Sequence, residues 1–202
     1  INPEEEFKHF VPQDCAVNFD HLLKTGDAAD EILKLVEANN VDLIVLGTHG
    51  RRGLNRVFAG SVAEKIVRKA NCAVMTSREF EGERPSHEMK RILVPVDFSV
   101  YGHAAMDFAN QIALSSGAVM TIVYVDDSDT SATQQFPHGR LEWSDQQKDL
   151  WDQLRQYKPL SDKIEFTHKL FKGDPSQEIC SYANEHHYDL IVLGTHGRTG
   201  IR

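Results

Sequence analysis

The stretch from Val41 to Ser61 constrains the fold more than any other. It opens with Val41-Asp42-Leu43-Ile44-Val45-Leu46, a short run of β-branched and aliphatic residues that reads as a buried strand. The glycine-rich loop Gly47-Thr48-His49-Gly50-Arg51-Arg52-Gly53 follows, and Gly60-Ser61 then leads into a helical pattern carried by Val62, Ala63, Ile66 and Val67. A strand that feeds a glycine-rich turn and a helix start is a cradle for phosphate. Glycines let backbone N–H groups approach an anion, and the helix start adds unpaired donors and positive dipole. The opening returns 147 residues later as Tyr188-Asp189-Leu190-Ile191-Val192-Leu193-Gly194-Thr195-His196-Gly197-Arg198-Thr199-Gly200. That offset is about one domain length.

Around these two stretches the chain alternates strand and helix patterns. Ala16 to Lys24 alternates loosely and reads as a strand. Asp27 is placed to cap a helix that buries Ala28, Ile32, Leu35 and Val36 and stops near Asn39-Asn40. Cys72 to Met75 reads as a short buried strand after the helix from Ser61 to about Ala70. Ile92 to Val96 begins a new unit, with Pro95 tolerated because the ladder finishes there. Ser99 can cap a helix with the apolar face Ala104, Ala105, Phe108, Ala109 and Ile112, which ends at Gly117. A strand over Val119–Val125, a helix over Leu141–Tyr157 and a strand over Lys163–Leu170 follow. Gly173-Asp174-Pro175 then opens a helix with the cap, first-position proline and Gln177 of a capping box, repeating Gly26-Asp27 at the same offset. Aliphatic strands alternating with helices predict an α/β fold: an open, doubly wound parallel sheet with helices on both faces, Rossmann-like. Ligands of such sheets bind beyond the strand C-termini, where Gly47–Gly53, Asp97 and Val125 fall.

Residues 1–79 read as the C-terminal part of a first domain, 80–89 as a linker, and 90–202 as the N-terminal part of a second. The first copy has the loop but no strand like Ile92–Val96 ahead of it. The second has that strand but stops before its own Gly-Ser, so both ends are expected to lie inside domains. Two completions are open: early strands from 90–170 joined with late strands from 41–79 in one permuted sheet, or pairing between two chains.

Charge narrows the partners. A net charge of −8 and a pI near 5.7 disfavour nonspecific binding to nucleic acid or to anionic membrane. No apolar run reaches the roughly 18 residues of a membrane span. Cys15, Cys72 and Cys180 are few and far apart, and with no visible signal peptide they read as reduced thiols of a cytoplasmic protein.

The spacing Gly47, two residues, Gly50, nine residues, Gly60, Ser61 resembles the loop of the universal stress proteins. Gly194 and Gly197 fit the same loop in the second copy, without its last two elements. Val94-Pro95-Val96-Asp97-Phe98-Ser99 is similar to the family's first strand, and Ile122-Val123-Tyr124-Val125-Asp126 to its second. The resemblance implies the ATP-binding subclass, with ATP held with or without Mg2+, and homodimers or dimer-like pairing of tandem domains. It implies that Asp97, with Pro95 and Val96 before it, contacts the adenine end, and that backbone near Val125 holds adenine. Gly47, Thr48, His49, Gly50 and Gly53 would bring backbone to the α- and β-phosphates, and Gly60, Ser61 and Val62 would bind the terminal phosphate.

Each assignment has a plainer alternative. The glycines suit a strand-to-helix turn; Ser61 and Asp97 suit helix caps, and Ser99 suits a cap better than a ligand contact. Arg51 and Arg198 would offset phosphate charge or simply face solvent. His49 and His196 each sit between Thr and Gly with no second ligand at metal spacing, so neither a catalytic nor a metal role is assigned. The leading function is a nucleotide-binding regulator of a stress response. The alternatives are a slow ATPase or nucleotidyl-transferring enzyme, and a nucleotide-free dimerisation scaffold. No Gly-Lys-Ser/Thr phosphate loop and no clear base support chemistry.

Overall fold

The computed structural model of the chain describes residues 17–47, 60–77, 88–128 and 144–195. They fall into two compact units, Ile1–Glu83 and Arg84–Arg202. The expected linker lies, but for its last two residues, outside the described residues.

In the first unit, helix α1 (Ala28–Asn39), strand β1 (Leu43–Gly47), helix α2 (Ser61–Lys69) and strand β2 (Ala73–Ser77) follow in order. β1 and β2 are parallel, with Leu43 beside Ala73 and Gly47 beside Ser77. Ala29 and Val36 of α1, Ile44 of β1 and Ile66 of α2 form the core, as the 3.6-residue spacing of the helices requires. Asp27 caps α1 by accepting from the Asp30 N–H at 3.0 Å. Lys65 of α2 reaches Asp27 at 3.0 Å and Asp30 at 2.8 Å, and its hydrogen bond holds the Asp27 carboxyl below the usual carboxylate range.

The strand expected over Ala16–Lys24 is not formed in the described residues 17–24; Val17, Phe19, Leu22 and Leu23 are half-exposed. The counterpart of this segment 147 residues on is a strand because a neighbouring strand lies along it for seven paired positions. The described strands of the first unit are β1 and β2, paired with each other, and residues 17–24 form a ladder with neither.

In the second unit, β3 (Arg91–Pro95), α3 (Val100–Ser116), β4 (Val119–Asp126), α4 (Asp145–Leu154), β5 (Phe166–Lys172), α5 (Pro175–Glu185) and β6 (Leu190–Ile191) form a four-stranded parallel sheet in the order β5-β4-β3-β6. Strand alternation sends Ile92, Val94, Met120 and Ile122 to the face covered by α3 and α4. Leu93, Val123 and Val125 go to the face covered by α5, where Ala183 and Ile179 meet them. This is the doubly wound α/β arrangement, with helices on both faces. Ser99, Ser144 and Asp174 cap α3, α4 and α5, and Gly117 ends α3 at φ 73°. β2 is paired with β1 and joins no strand of residues 90–202, so the permuted single sheet is not what the described strands form.

β6 is shorter than its sequence. Val192 N–H still donates to Leu93 O at 2.9 Å, but the next ladder donor on β3 would be Pro95, which has no N–H. The other end is tied down: the Asp189 carboxylate accepts from the N–H groups of Lys90 and Arg91, both at 2.8 Å. The Arg91 guanidinium donates to His186 O at 2.7 Å and lies 5.0 Å over the Tyr188 ring.

Two predictions arise here. Asn110 of α3 is 1% exposed, and neither its amide nitrogen nor its oxygen has a partner among the described residues. Asn110→Ala is expected to stabilise the second unit by about 1 kcal/mol in urea unfolding, since it removes an unsatisfied buried amide and raises helix propensity. A loss of stability instead would reveal a water bonded to that amide. Separately, burial and then hydrogen bonding with Tyr188 push the Tyr182 phenol up to about 12. A raised phenol favours the protonated folded state, so its contribution is whole below the ordinary value of 10.0 and is lost as pH climbs towards 12. The urea midpoint should fall across that window, and Tyr182→Phe should flatten the fall.

Candidate functional site

At the C-terminal edge of the four-stranded sheet, β3 runs out at Pro95. Val96 N–H donates to Val123 O at 2.8 Å and holds the tip against β4. Asp97 follows, half-buried. Its Oδ1 accepts from Ser99 N–H at 3.1 Å and from the Ser99 hydroxyl at 2.5 Å. The Ser99 oxygen in turn accepts from Gly102 N–H at 3.2 Å, so Ser99 is the helix cap and Asp97 orients it. Gly102 lets the helix start come close to this carboxylate: a Cβ would stand 3.1 Å from Asp97 Oδ1.

The next strand tip repeats the device. Asp126 Oδ1, in a buried residue, accepts from Ser128 N–H at 3.0 Å and from its hydroxyl at 2.5 Å. Sequence reasoning gave Asp126 no role of its own. The signal was the shared Asp-x-Ser pattern after two aliphatic strands, Asp97-Phe98-Ser99 and Asp126-Asp127-Ser128. Val125 is buried just before it.

Aromatic rings line this edge. Phe98, held at φ 62°, stacks on Tyr124 with centroids 4.4 Å apart, and Tyr157 stands 5.8 Å from Phe98. The Tyr157 hydroxyl and His103 Nε2 share a hydrogen bond at 3.1 Å. Burial, then the negative charge of Asp97, raises the Tyr157 phenol above its ordinary value. Two carboxylates at adjacent strand tips repel a phosphate and accept from hydroxyl or amino donors, so the chemistry of this edge suits the neutral end of a ligand.

Gly194 also sits on this edge, and packing accounts for it. A Cβ there would come within 2.8 Å of Tyr101 Cβ and 2.9 Å of its backbone carbonyl. The matching glycine of the first unit, Gly47 at the tip of β1, has no atom of the described residues within 4 Å of the same position.

In the first unit α2 begins at Ser61 with Gly60 as N-cap, and among the described residues no side-chain cap hydrogen bond is made to its first turn. Side chains cap the other four described helices: Asp27, Ser99, Ser144 and Asp174. Ser61 is therefore not the cap that its sequence allowed, being already the first helical residue. Val62 is exposed beside it. Thr48, His49, Gly50, Arg51, Gly53 and Gly197 lie outside the described residues, as do Arg198 and His196. Thus Pro95, Val96, Asp97, Ser99, Val125 and Gly194 share one sheet edge of the second unit, while Gly47, Gly60, Ser61 and Val62 belong to the first. Among the described residues no group of three or more His, Cys, Asp or Glu is placed to hold a metal ion, and no helix is long and apolar enough to cross a membrane.

The profile of the universal stress protein family matches residues 4–78 and 88–202. Universal stress protein MJ0531 of Methanocaldococcus jannaschii is 43% identical over 54 residues, 27% of this chain and 32% of that protein. Universal stress protein Rv2005c of Mycobacterium tuberculosis is 24% identical over 173 residues, 81% of this chain and 55% of that protein. The chain thus spans less than two thirds of the length of either relative. Among solved structures, a universal stress protein from Archaeoglobus fulgidus superimposes with a TM-score of 0.56 at 22% identity, over 82% of this chain and 53% of that one. That likeness speaks for the fold.

Proposed function

The chain belongs to the universal stress protein family, and from that premise we propose that it is an adenine-nucleotide-binding regulator of a stress response, working in the cytoplasm. The ligand is ATP, with or without Mg2+. One observation carries the reading: among the described residues α2 has no side-chain cap, its N-cap being Gly60, and it follows the spacing Gly47-x2-Gly50-x9-Gly60-Ser61. A helix start left open behind a glycine-rich loop is an anion site by its dipole and its donors. The fit of the residues supports it. Among the described residues nothing fills the space at Gly47, and Ser61 is the first residue of α2. Asp97, Pro95, Val96 and Val125 supply the acceptor and backbone expected at an adenine end.

In this reading the residues of the chain bind and orient. In the first unit, backbone N–H groups of 47–53 and 60–62 take the phosphates and Arg51 offsets their charge; in the second unit, Asp97 accepts from the ribose or base of that copy's own nucleotide. Gly197 and Gly194 serve the same loop in the second copy. Signalling requires the nucleotide to favour one conformation or one pairing of units over another, in homodimers or dimer-like pairs of tandem domains. The domain limits that go with it are 1–79 and 90–202, with 80–89 as linker.

Calorimetric titration of the full chain with ATP, with and without Mg2+, tests the reading. Saturable binding is expected, and Gly50→Val should weaken it at least roughly tenfold by placing a side chain where backbone must approach the anion. Heat signals indifferent to adenine nucleotide would leave the scaffold reading standing. Turnover far above background would favour the enzyme.

A further inference from the structure

Asp126 ends β4 with an incomplete set of partners. The residue is 7% exposed, and both hydrogen bonds to its carboxylate fall on one oxygen: Oδ1 accepts from the N–H and from the hydroxyl of Ser128. Among the described residues nothing donates to Oδ2. A buried carboxylate oxygen without a donor is costly, so it marks a place where a ligand can supply one.

The neighbours fix its orientation. The Ser128 oxygen accepts from Gln146 Nε2 of α4 at 3.3 Å, and Gly173 N–H donates to Asp126 O at 3.1 Å, which holds the tips of β4 and β5 together. Strand alternation puts Asp126 on the same face as Tyr124, whose ring stacks on Phe98 at 4.4 Å. Low dielectric beside these rings strengthens a hydrogen bond to the carboxylate and raises the cost of an acceptor set against it. Val125, whose backbone is assigned to the base, precedes it, and Asp97 follows the neighbouring strand β3.

This chemistry selects among bases. Ser128 takes Oδ1, so Asp126 offers a base edge one oxygen. One acceptor matches the single exocyclic amine of a 6-aminopurine. A 6-oxopurine presents a carbonyl oxygen at the same point, which a carboxylate repels, and the paired N1–H and N2–H groups of guanine call for two oxygens. We infer that Asp126 sets the base identity of the second unit's nucleotide: its Oδ2 accepts from the amine of adenine and turns away hypoxanthine and guanine. Ser128 and Gln146 are positioning residues for that oxygen. The inference rests on the nucleotide reading above and adds to it the atom that excludes 6-oxopurines.

Hydrogen exchange of the full chain, titrated with ATP, ITP, GTP and purine riboside triphosphate, tests it. ATP should slow exchange across Val119–Asp126 at a concentration at least roughly tenfold below that of ITP or GTP, the factor for one charged hydrogen bond. Purine riboside triphosphate, which lacks the amine, should fall between them. In Asp126→Asn the amide oxygen keeps the bonds to Ser128 while the amide nitrogen donates to a 6-oxo group, so ITP should match or pass ATP. Equal protection of β4 by ATP and ITP would overturn the inference alone. So would an ATP preference that survives Asp126→Asn, or protection confined to Leu43–Gly47. Should the variant fail to fold, the parent decides: ATP and the riboside acting at equal concentrations would overturn the inference. Exchange and calorimetry indifferent to all four nucleotides would overturn the nucleotide reading and the inference together.

Discussion

Gly194→Val is expected to destabilise the second unit by about 3 kcal/mol, while Gly47→Val stays within about 0.5 kcal/mol of the parent. The two glycines close the same six-residue run 147 residues apart, yet they meet different neighbours. At Gly194 even a Cβ would press to 2.8–2.9 Å against Tyr101, and two of the three atoms met are backbone at the start of α3. Backbone of a capped helix cannot rotate aside as a side chain can, so strand and helix must separate and lose buried contact. At Gly47 no described residue fills the space, and an extended strand residue accepts a β-branched side chain readily. Trp143 and Trp151 both belong to the second unit, so tryptophan fluorescence in urea follows Gly194→Val, and hydrogen exchange at Leu43–Leu46 follows Gly47→Val. Equal losses at the two positions would refute the packing account of Gly194. Gly47→Val should still weaken ATP if backbone at that tip approaches phosphate.

Gly60→Asp is expected to move two readouts in opposite directions. The side chain would stand at the N-cap of α2, where φ −52° and ψ 148° suit any residue. Its carboxylate would accept from the first-turn N–H groups and face the positive helix pole, raising helix stability by a few tenths of a kcal/mol up to about 1. The same carboxylate would occupy the donors assigned to the terminal phosphate and repel its charge. ATP affinity should therefore fall at least roughly a hundredfold, from one lost charged hydrogen bond plus like-charge repulsion. Thermal unfolding and titration on one preparation check both. Raised stability with unchanged affinity would remove α2 from the site, and lowered stability would mean that the helix start is not open as described.

Much of the fold was legible locally. The caps at Asp27, Ser99 and Asp174 were readable because a carboxylate or hydroxyl reaches N–H groups three residues on whatever surrounds the helix. The strands β3 and β4 were readable because both faces are covered and the aliphatic run is unbroken, and β1 because the same aliphatic run recurs there. Of the site, Asp97 and Val125 were legible as strand tips, and Gly60 as the step into a helix. Asp126 was missed because its partner, Ser128, lay in what read only as polar loop. The packing of Gly194 against Tyr101 was not legible because Tyr101 is 93 residues away in sequence.

Taken alone, the order of residues determined the alternation of strand and helix, the parallel α/β class, the internal repeat and the helix ends, since each rests on forces that act within a few residues. Only the tertiary structure decided which neighbour each strand obtained. The same Asp-Leu-Ile-Val-Leu-Gly is flanked by β3 in one unit and, among the described residues, by β2 alone in the other, and residues 17–24 form no described strand where their counterparts become β5. A ladder needs hydrogen-bonding groups from a second strand, and a close approach needs a particular helix behind it, so neither is written in the segment that depends on it.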